Sequence, residues 1–502
     1  MRKFITMLAL VLLALSLGAT GAWAGEENDD KIPSHPDQLE YPPLDYPAPQ
    51  RSDYRHVLSN GVVAYLVEDH DLPLFEVTIY LRAGDYLDPP GKAGLASAMG
   101  SLLRSGGSQS LQPEEYDEEA DFLAALISSR LGDTSGQASV NALSKDMDKA
   151  LGLFFDMLRT PGFDQKRIDL YMRQSLQQME RRNDNTSGIE FREWRRLLYG
   201  DDFFSTRYST KESLESITRQ DLLDFHARYI HPANFIIAAS GDFDSEALIA
   251  KLESAMQGWP EGETAPPVPE PDFQPQPGLY MVNKDDVNQG RASIGHLGIT
   301  RDNPDVFAIQ MMNDVLGGSG FTSRITNRVR SDEGLAYSAG SAMNPGTHYR
   351  GQFRALFQSK STTVAQAIQI VLEEIERIRS EPVQPDELET VKVNAIETFP
   401  RQFSSAESIA STFANDELIG REEDYWNTYR DRLRAVTVED VQRVAQQYLH
   451  PDQLVILVVG NVEEIMKGHP DRPEFSISKL PGGENPTMVP LPDPLTMEYG
   501  SQ

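Results

Sequence analysis

Cysteine is missing from all 502 residues, which excludes disulfides and any thiolate-bound metal. Histidine is scarce as well. There are nine, and none stands in a His-x-x-x-His or His-x-x-Glu-His arrangement, so no helical face carries two imidazoles for a metal. His226 and His231 come nearest, but Pro232 follows the second and takes it off the helical face. Positive charge is in deficit, 46 Lys+Arg against 76 Asp+Glu, for a formal charge of −30. Such a surface is well hydrated and repels phosphate backbones, which argues against nucleic acid as a partner. Long apolar runs are also missing, with one exception close to the start.

That exception runs from Met7 to Leu17, behind Arg2 and Lys3 and ahead of Ala22-Trp23-Ala24. Basic start, short apolar stretch and small residues make the three-part pattern of a secretory signal, too short to read as a spanning helix. Residues 1–24 are therefore expected to be a cleaved signal peptide, the alternative being an uncleaved anchor. Export without disulfides points to a bacterial periplasm. Residues 25–50 are rich in Pro and acid and read as a leader arm. A second Pro-dense stretch, 261–278, reads as an extended linker, because Pro fixes φ and removes backbone donors. It divides two comparable domains, 51–260 and 279–475, followed by a tail, 476–502.

The two halves repeat each other. Ile217-Thr218 leads to Tyr229-Ile230-His231-Pro232, the apolar run 235–239 and Gly241-Asp242. Val436-Thr437 leads to Tyr448-Leu449-His450-Pro451, the apolar run 454–458 and Gly460-Asn461. Each matched pair is offset by 219 residues, with no insertion. Each copy reads as a Thr-capped helix, a His-Pro turn and a buried strand stopped by Gly, which makes the chain an internal duplication. His231 and His450 take structural places in the turn. Val77, Ile79 and Leu81 alternate as in a half-buried strand, and Val364, Ile368, Val371, Ile375 and Ile378 recur at helical spacing. The expected fold is α+β and duplicated: two lobes, each a mostly antiparallel sheet with helices packed on one face.

Leu58-Ser59-Asn60-Gly61-Val62, the strand ending Ala83-Gly84 and the helix opening Gly91-Lys92-Ala93-Gly94-Leu95-Ala96 resemble the first half of the pitrilysin (insulinase-like) zinc peptidases. That family includes insulin-degrading enzyme and mitochondrial processing peptidase. The resemblance runs from about residue 51 to 470 and includes the duplication, and it implies a half-clamshell architecture. In active members the helix after Gly-Leu-Ala carries His-x-x-Glu-His, two zinc ligands and a catalytic base. Here the same places hold Ser97-Ala98-Met99-Gly100-Ser101. Ser97 and Ser101 replace the ligands and Gly100 replaces the base. The third ligand, a Glu, has its counterpart on the helix around Arg167–Arg182, at Gln177 or one turn away. Hydroxyls and an amide do not substitute for two imidazoles and a carboxylate, so the chain is expected to hold no metal and no cofactor.

The second half keeps its signature. Asn313-Asp314-Val315-Leu316-Gly317-Gly318-Ser319-Gly320 leads to Arg330 and then Gly334-Leu335-Ala336-Tyr337. The Gly loop follows a helix pattern and lacks the Lys of a phosphate-binding loop. By the resemblance, Arg330 and Tyr337 grip substrate backbone and stabilise an oxyanion, and Gly317 and Gly318 let the substrate chain pass. A phenol donor and a fixed cation suit that task on chemical grounds alone.

One half-site erased and one retained imply a zinc-less subunit of a heteromeric metalloendopeptidase. Its partner would be a zinc-bearing paralogous subunit, and its substrates peptides or unfolded polypeptide. The alternative is a non-enzymatic scaffold or peptide-binding protein on an inactive peptidase fold. An independent hydrolase with unconventional ligands is a third reading, for which no residues offer themselves.

Overall fold

Alternating burial along the strands builds two sheets of the same design. The protein is described here from a computed structural model covering His35, Leu39, 45–260 and 262–500. The segment read as a signal peptide and most of the leader arm lie outside these residues. The chain divides into Met1–Tyr46 and Pro47–Gln502. In the first unit His35, Leu39 and Asp45 are exposed, and all regular structure below belongs to the second.

The first sheet contains β1 (Arg55–Val57), β2 (Val63–Glu68), β3 (Leu74–Leu81), β4 (Leu126–Leu131), β5 (Gly136–Leu143) and β6 (Phe235–Gly241), in the order β1-β2-β6-β3-β5-β4. The second contains β7 (Gly278–Asn283), β8 (Gln289–Leu297), β9 (Ala336–Asn344), β10 (Gln352–Lys360), β11 (Val455–Gly460) and β12 (Thr487–Met488), in the order β12-β7-β11-β8-β10-β9. Set aside β1 and β12, and the two orders are the same permutation five strands on. The parallel pairs correspond too, β2 with β6 and β7 with β11, and β12 joins β7 in parallel; the remaining ladders are antiparallel. The duplicated α+β architecture expected from the sequence is present.

The repeated segment shows why. Thr218 and Asp221 form a reciprocal capping box at helix Arg219–Tyr229, and Thr437 and Asp440 form the same box at Val438–Tyr448. Each helix ends at its His-Pro turn and feeds a central strand, β6 or β11, buried on both faces. His231 is spent on the turn, with Nε2 at 2.9 Å from the Arg228 carbonyl, and buried His226 meets the Leu158 carbonyl at 2.7 Å.

One face of each sheet packs on helices of its own lobe. The other face takes a helix from the opposite lobe, and the exchange is reciprocal. Helix Thr186–Tyr199 of the first half lies on β11 and β8, while helix Ala406–Ile419 of the second half lies on β6 and β2. Because side chains alternate along a strand, β11 serves two cores. Ile456 and Val458 face the second lobe's interior, and Val455, Leu457 and Val459 face Ile189, Trp194 and Leu198 of the crossing helix. On β2, Ala64 and Leu66 face the first lobe's interior, and Tyr65 turns to Phe413 of the other crossing helix, ring centroids 6.0 Å apart.

Each crossing helix also brings a carboxylate onto arginines of the other half. Glu190, 2% exposed, accepts from Arg291 Nε at 2.9 Å, Arg354 Nη2 at 2.6 Å and the Ser293 hydroxyl. Glu417 accepts from Arg51, from Tyr65 at 2.7 Å and from Arg55 at 3.3 Å. Buried charges are tolerable only when paired this fully.

Residues 262–277 carry no helix or strand, as their prolines require, and dock through the Ala265 N–H on Asn234 Oδ1 and the Tyr86 hydroxyl on the Pro266 carbonyl. The stretch read as a tail packs on the rest of the protein. It supplies β12, and then the carbonyls of Pro492 and Pro494 accept from Asn183 and Arg182 of the first half. Near its end the Tyr499 hydroxyl donates to buried Glu193.

Cleavage between 262 and 277 is expected to leave one particle, because the crossed helices and the C-terminal stretch bonded to Arg182, Asn183 and Glu193 still join the halves. The fragments should co-elute in native buffer and part only in denaturant, and their separation without denaturant would contradict the interlock. Trp194→Ala removes a fully buried ring at that interface and should cost about 3–5 kcal/mol in urea unfolding.

The Glu190 cluster gives a pH signature. Burial would raise its pKa, but the Arg354 charge and the bonds from Ser293 and Arg291 outweigh burial and lower it. A depressed folded pKa means the contribution is complete above the ordinary carboxylate value of about 4.3 and is lost as pH falls through the folded value. Urea midpoints measured from pH 7 to pH 3 should therefore fall below about pH 4.3. Glu190→Gln should lower stability at pH 7 by about 3–5 kcal/mol and flatten that acid limb.

Candidate functional site

In the first lobe, helix Leu95–Ser105 starts beyond Gly94, which adopts a left-handed φ of +97° and has no side chain to cap the helix. Asp88 supplies one, accepting from Gly94 N at 2.7 Å and Ala96 N at 2.8 Å. The helix then crosses β4 at Gly100. A Cβ there would lie 2.4 Å from the Leu131 amide nitrogen and 2.9 Å from the Arg130 carbonyl carbon. The Ser129 hydroxyl donates to the Gly100 carbonyl at 2.6 Å. Gly100 is thus required by the packing.

Ser97 is half-buried and donates to Asp85 Oδ1 at 3.0 Å. Ser101 is exposed. Gln177 is also exposed, on helix Gln165–Glu180, while Tyr171 and Ser175 of that helix line a cavity with Ser97. Ser97 and Ser101 still share one helical face, four residues apart, but none of the four positions offers an imidazole or a carboxylate. A hydroxyl committed to a carboxylate, an exposed hydroxyl, a wedged glycine and an exposed amide do not fit a zinc ion, which needs imidazole, thiolate or carboxylate donors converging at about 2.0–2.3 Å. Among the described residues no group of three or more His, Asp or Glu is placed to hold a metal.

The second lobe is organised differently. Helix Val306–Asn313 runs into a wide π-helical turn, Asp314–Gly318, and a second one spans Asn327–Asp332 just before β9. Such turns are uncommon and concentrate at functional sites. Gly317 lies against β9, where a Cβ would come within 2.4 Å of Ser341 N, and Asn313 and Ser341 exchange side-chain bonds across the contact. Gly317 therefore seats the loop on the strand, and Gly318 beside it is exposed.

The two π turns bring Arg330 and Tyr337 together. The Arg330 guanidinium lies 5.0 Å from the Tyr337 ring centroid and 4.3 Å from that of Phe321. Tyr337 is 86% exposed and Phe321 67%. Nearby Arg324 and Arg328 are bound to Glu387 and Glu374. Among the described residues Arg330 makes no ion pair and is held by ring faces instead, which leaves its N–H donors for a ligand. Phe321 escaped the sequence reading, and its only signal there is an aromatic placed inside a Gly-rich loop.

Residues 216–394 match the family model described as the peptidase M16 inactive domain. The insulinase-like peptidase resemblance holds. A Rickettsia bellii protein named an uncharacterized zinc protease is 22% identical over 57% of this chain and 69% of its own length. The "Non-peptidase homolog YmxG" of Helicobacter pylori is 21% identical over 78% of this chain and 90% of its own. The crystal structure of a peptidase M16 inactive domain from Pseudomonas fluorescens superposes with a TM-score of 0.73 at 23% identity, covering 81% of this chain and 97% of that one. The M16-like two-lobe fold is shared with that structure.

The steric wedge at Gly100 makes simple reversion fail. Gly100→Ala alone should destabilise by roughly 1–3 kcal/mol through overpacking. The combined variant Ser97→His, Gly100→Glu, Ser101→His, Gln177→Glu should hold no stoichiometric zinc by elemental analysis. About one tightly bound zinc per chain at undiminished stability would refute this geometry.

Proposed function

We propose that this chain is the zinc-less subunit of a heteromeric M16-type endopeptidase, exported to the periplasm, that presents Arg330 and Tyr337 to peptide bound in a shared chamber. The observation that carries the reading is the asymmetry between its half-sites. The first half-site is packed tightly around Gly100, while the exposed Tyr337 ring and the half-buried Arg330 guanidinium stand together, free of carboxylates among the described residues. A relic would be expected to lose its alignment; here two π turns and an aromatic stack maintain it.

The partner subunit's zinc would supply the activated water. This chain's own residues bind and orient. Tyr337 sits near the start of β9, the outermost strand of its sheet; the Ala339 and Ser341 carbonyls further along are taken by Thr326 and Asn313, so an extended peptide would pair with the strand beside Tyr337 itself. From there the phenol can donate to a carbonyl oxygen as negative charge develops on it, and the guanidinium can hold the neighbouring backbone carbonyl. Phe321 gives Arg330 a second ring contact, which stiffens it.

Tyr337→Phe keeps the ring and its stack on Arg330 but removes the donor. In the reconstituted complex it should reduce kcat by about 10²–10³ with little change in KM. Arg330→Ala should lower kcat and raise KM. Assembly, followed by size exclusion, should be unaffected in both. Full activity in both variants would transfer the chain to the scaffold reading.

A further inference from the structure

The cavity beside Ser97 has a volume of about 270 Å³ and is lined by Asp85, Asp88, Tyr171, Ser205 and Tyr208 among others. Its two carboxylates are already oriented. Asp88 takes the backbone N–H groups of Gly94 and Ala96, and Asp85 takes the Ser97 hydroxyl. Among the described residues neither carboxylate forms an ion pair. Arg195, the cation lining the same wall, is committed to Asp133, and Arg207 is exposed.

Two hydroxyls are also uncommitted. Ser205 is 8% exposed, and its Oγ, although near the Tyr349 phenol, is in hydrogen-bonding geometry with no group; the buried Tyr208 hydroxyl is likewise without a partner. Orphaned buried hydroxyls beside unpaired carboxylates mark a missing hydrogen-bonding ligand.

We propose that this cavity binds a primary ammonium group carried on a short carbon chain. An ammonium has three donors, which match Asp85, Asp88 and one hydroxyl oxygen, and its charge offsets two desolvated carboxylates. The ring of Tyr171 and the side chains of Phe204 and Leu214 give the carbon chain an apolar wall. A divalent cation suits the site poorly, since calcium or magnesium needs about six oxygens around it. Burial pushes Asp85 up to about 6, and burial together with the Asp85 charge pushes Asp88 up to about 7. Occupation by a cation therefore favours deprotonation, and the ligand is held more tightly as pH rises through that range. The inference is independent of the role assigned to Arg330 and Tyr337, which lie in the other lobe.

Isothermal titration of the full chain at pH 8 tests it with three probes: 1,5-diaminopentane, Nα-acetyl-lysine amide, and a lysine-free peptide with an open N-terminus. Saturable binding near one per chain is expected with at least one. Whichever binds tells whether the ammonium comes from a free amine, a lysine side chain or a chain terminus. Affinity should fall about tenfold or more at pH 5.5, with proton release at pH 6.5 read from the dependence of the heat on buffer ionisation. Asp85→Asn keeps an acceptor for Ser97 and should weaken binding about tenfold with the fold intact by circular dichroism. Ser205→Ala, which touches neither carboxylate, should weaken it by a smaller factor. No saturable binding of any probe, or binding unchanged in both variants, overturns the proposal. So does tighter binding of calcium or magnesium than of all three amines.

Discussion

Each half of this protein leaves one face of its sheet for the other half to cover, and that mutual debt governs the structure. Strands β6 and β11 are apolar on both faces, so neither sheet is satisfied by its own helices. Helices Thr186–Tyr199 and Ala406–Ile419 close the deficit crosswise. The carboxylates they carry, buried Glu190 and half-buried Glu417, find their arginines on the opposite half. Stranding either carboxylate would leave a desolvated charge, so the crossed arrangement is specified electrostatically as well as by packing.

Within this frame the two equivalent half-sites have diverged in opposite ways. In the first, the helix Leu95–Ser105 lies against β4 as closely as a glycine permits, with a small polar cavity beside it. In the second, two π turns and a glycine seated on β9 hold an arginine and a tyrosine in register on the surface. Substituting the ligands alone would leave the first site's backbone unchanged. The Gly100 contact shows that the backbone of β4 leaves no room for a side chain at that place.

Much of this was legible in the amino-acid order. The offset repeat, its Thr caps and its His-Pro turns are local devices, whose physics acts between residues three or four apart. They predicted the duplication, the central strands and the α+β lobes. That Ser97, Gly100 and Ser101 offer no imidazole or carboxylate was equally plain, because donor chemistry is a property of residue type.

What only the tertiary structure decided rests on contacts between distant residues. That helix Thr186–Tyr199 belongs to the other half's sheet has no local signal, since an apolar stripe does not name its partner. The final segment looked like a tail because Pro and polar residues hide its docking carbonyls, which act through the backbone. Gly100 reads in sequence as a missing base, and only the approach of β4 reveals it as a packing requirement. Asp85 and Asp88 look like ordinary surface acids until folding desolvates them beside Ser97. The sequence determined which chemistry this protein could keep; the fold decided where its buried charges and its uncommitted groups would stand.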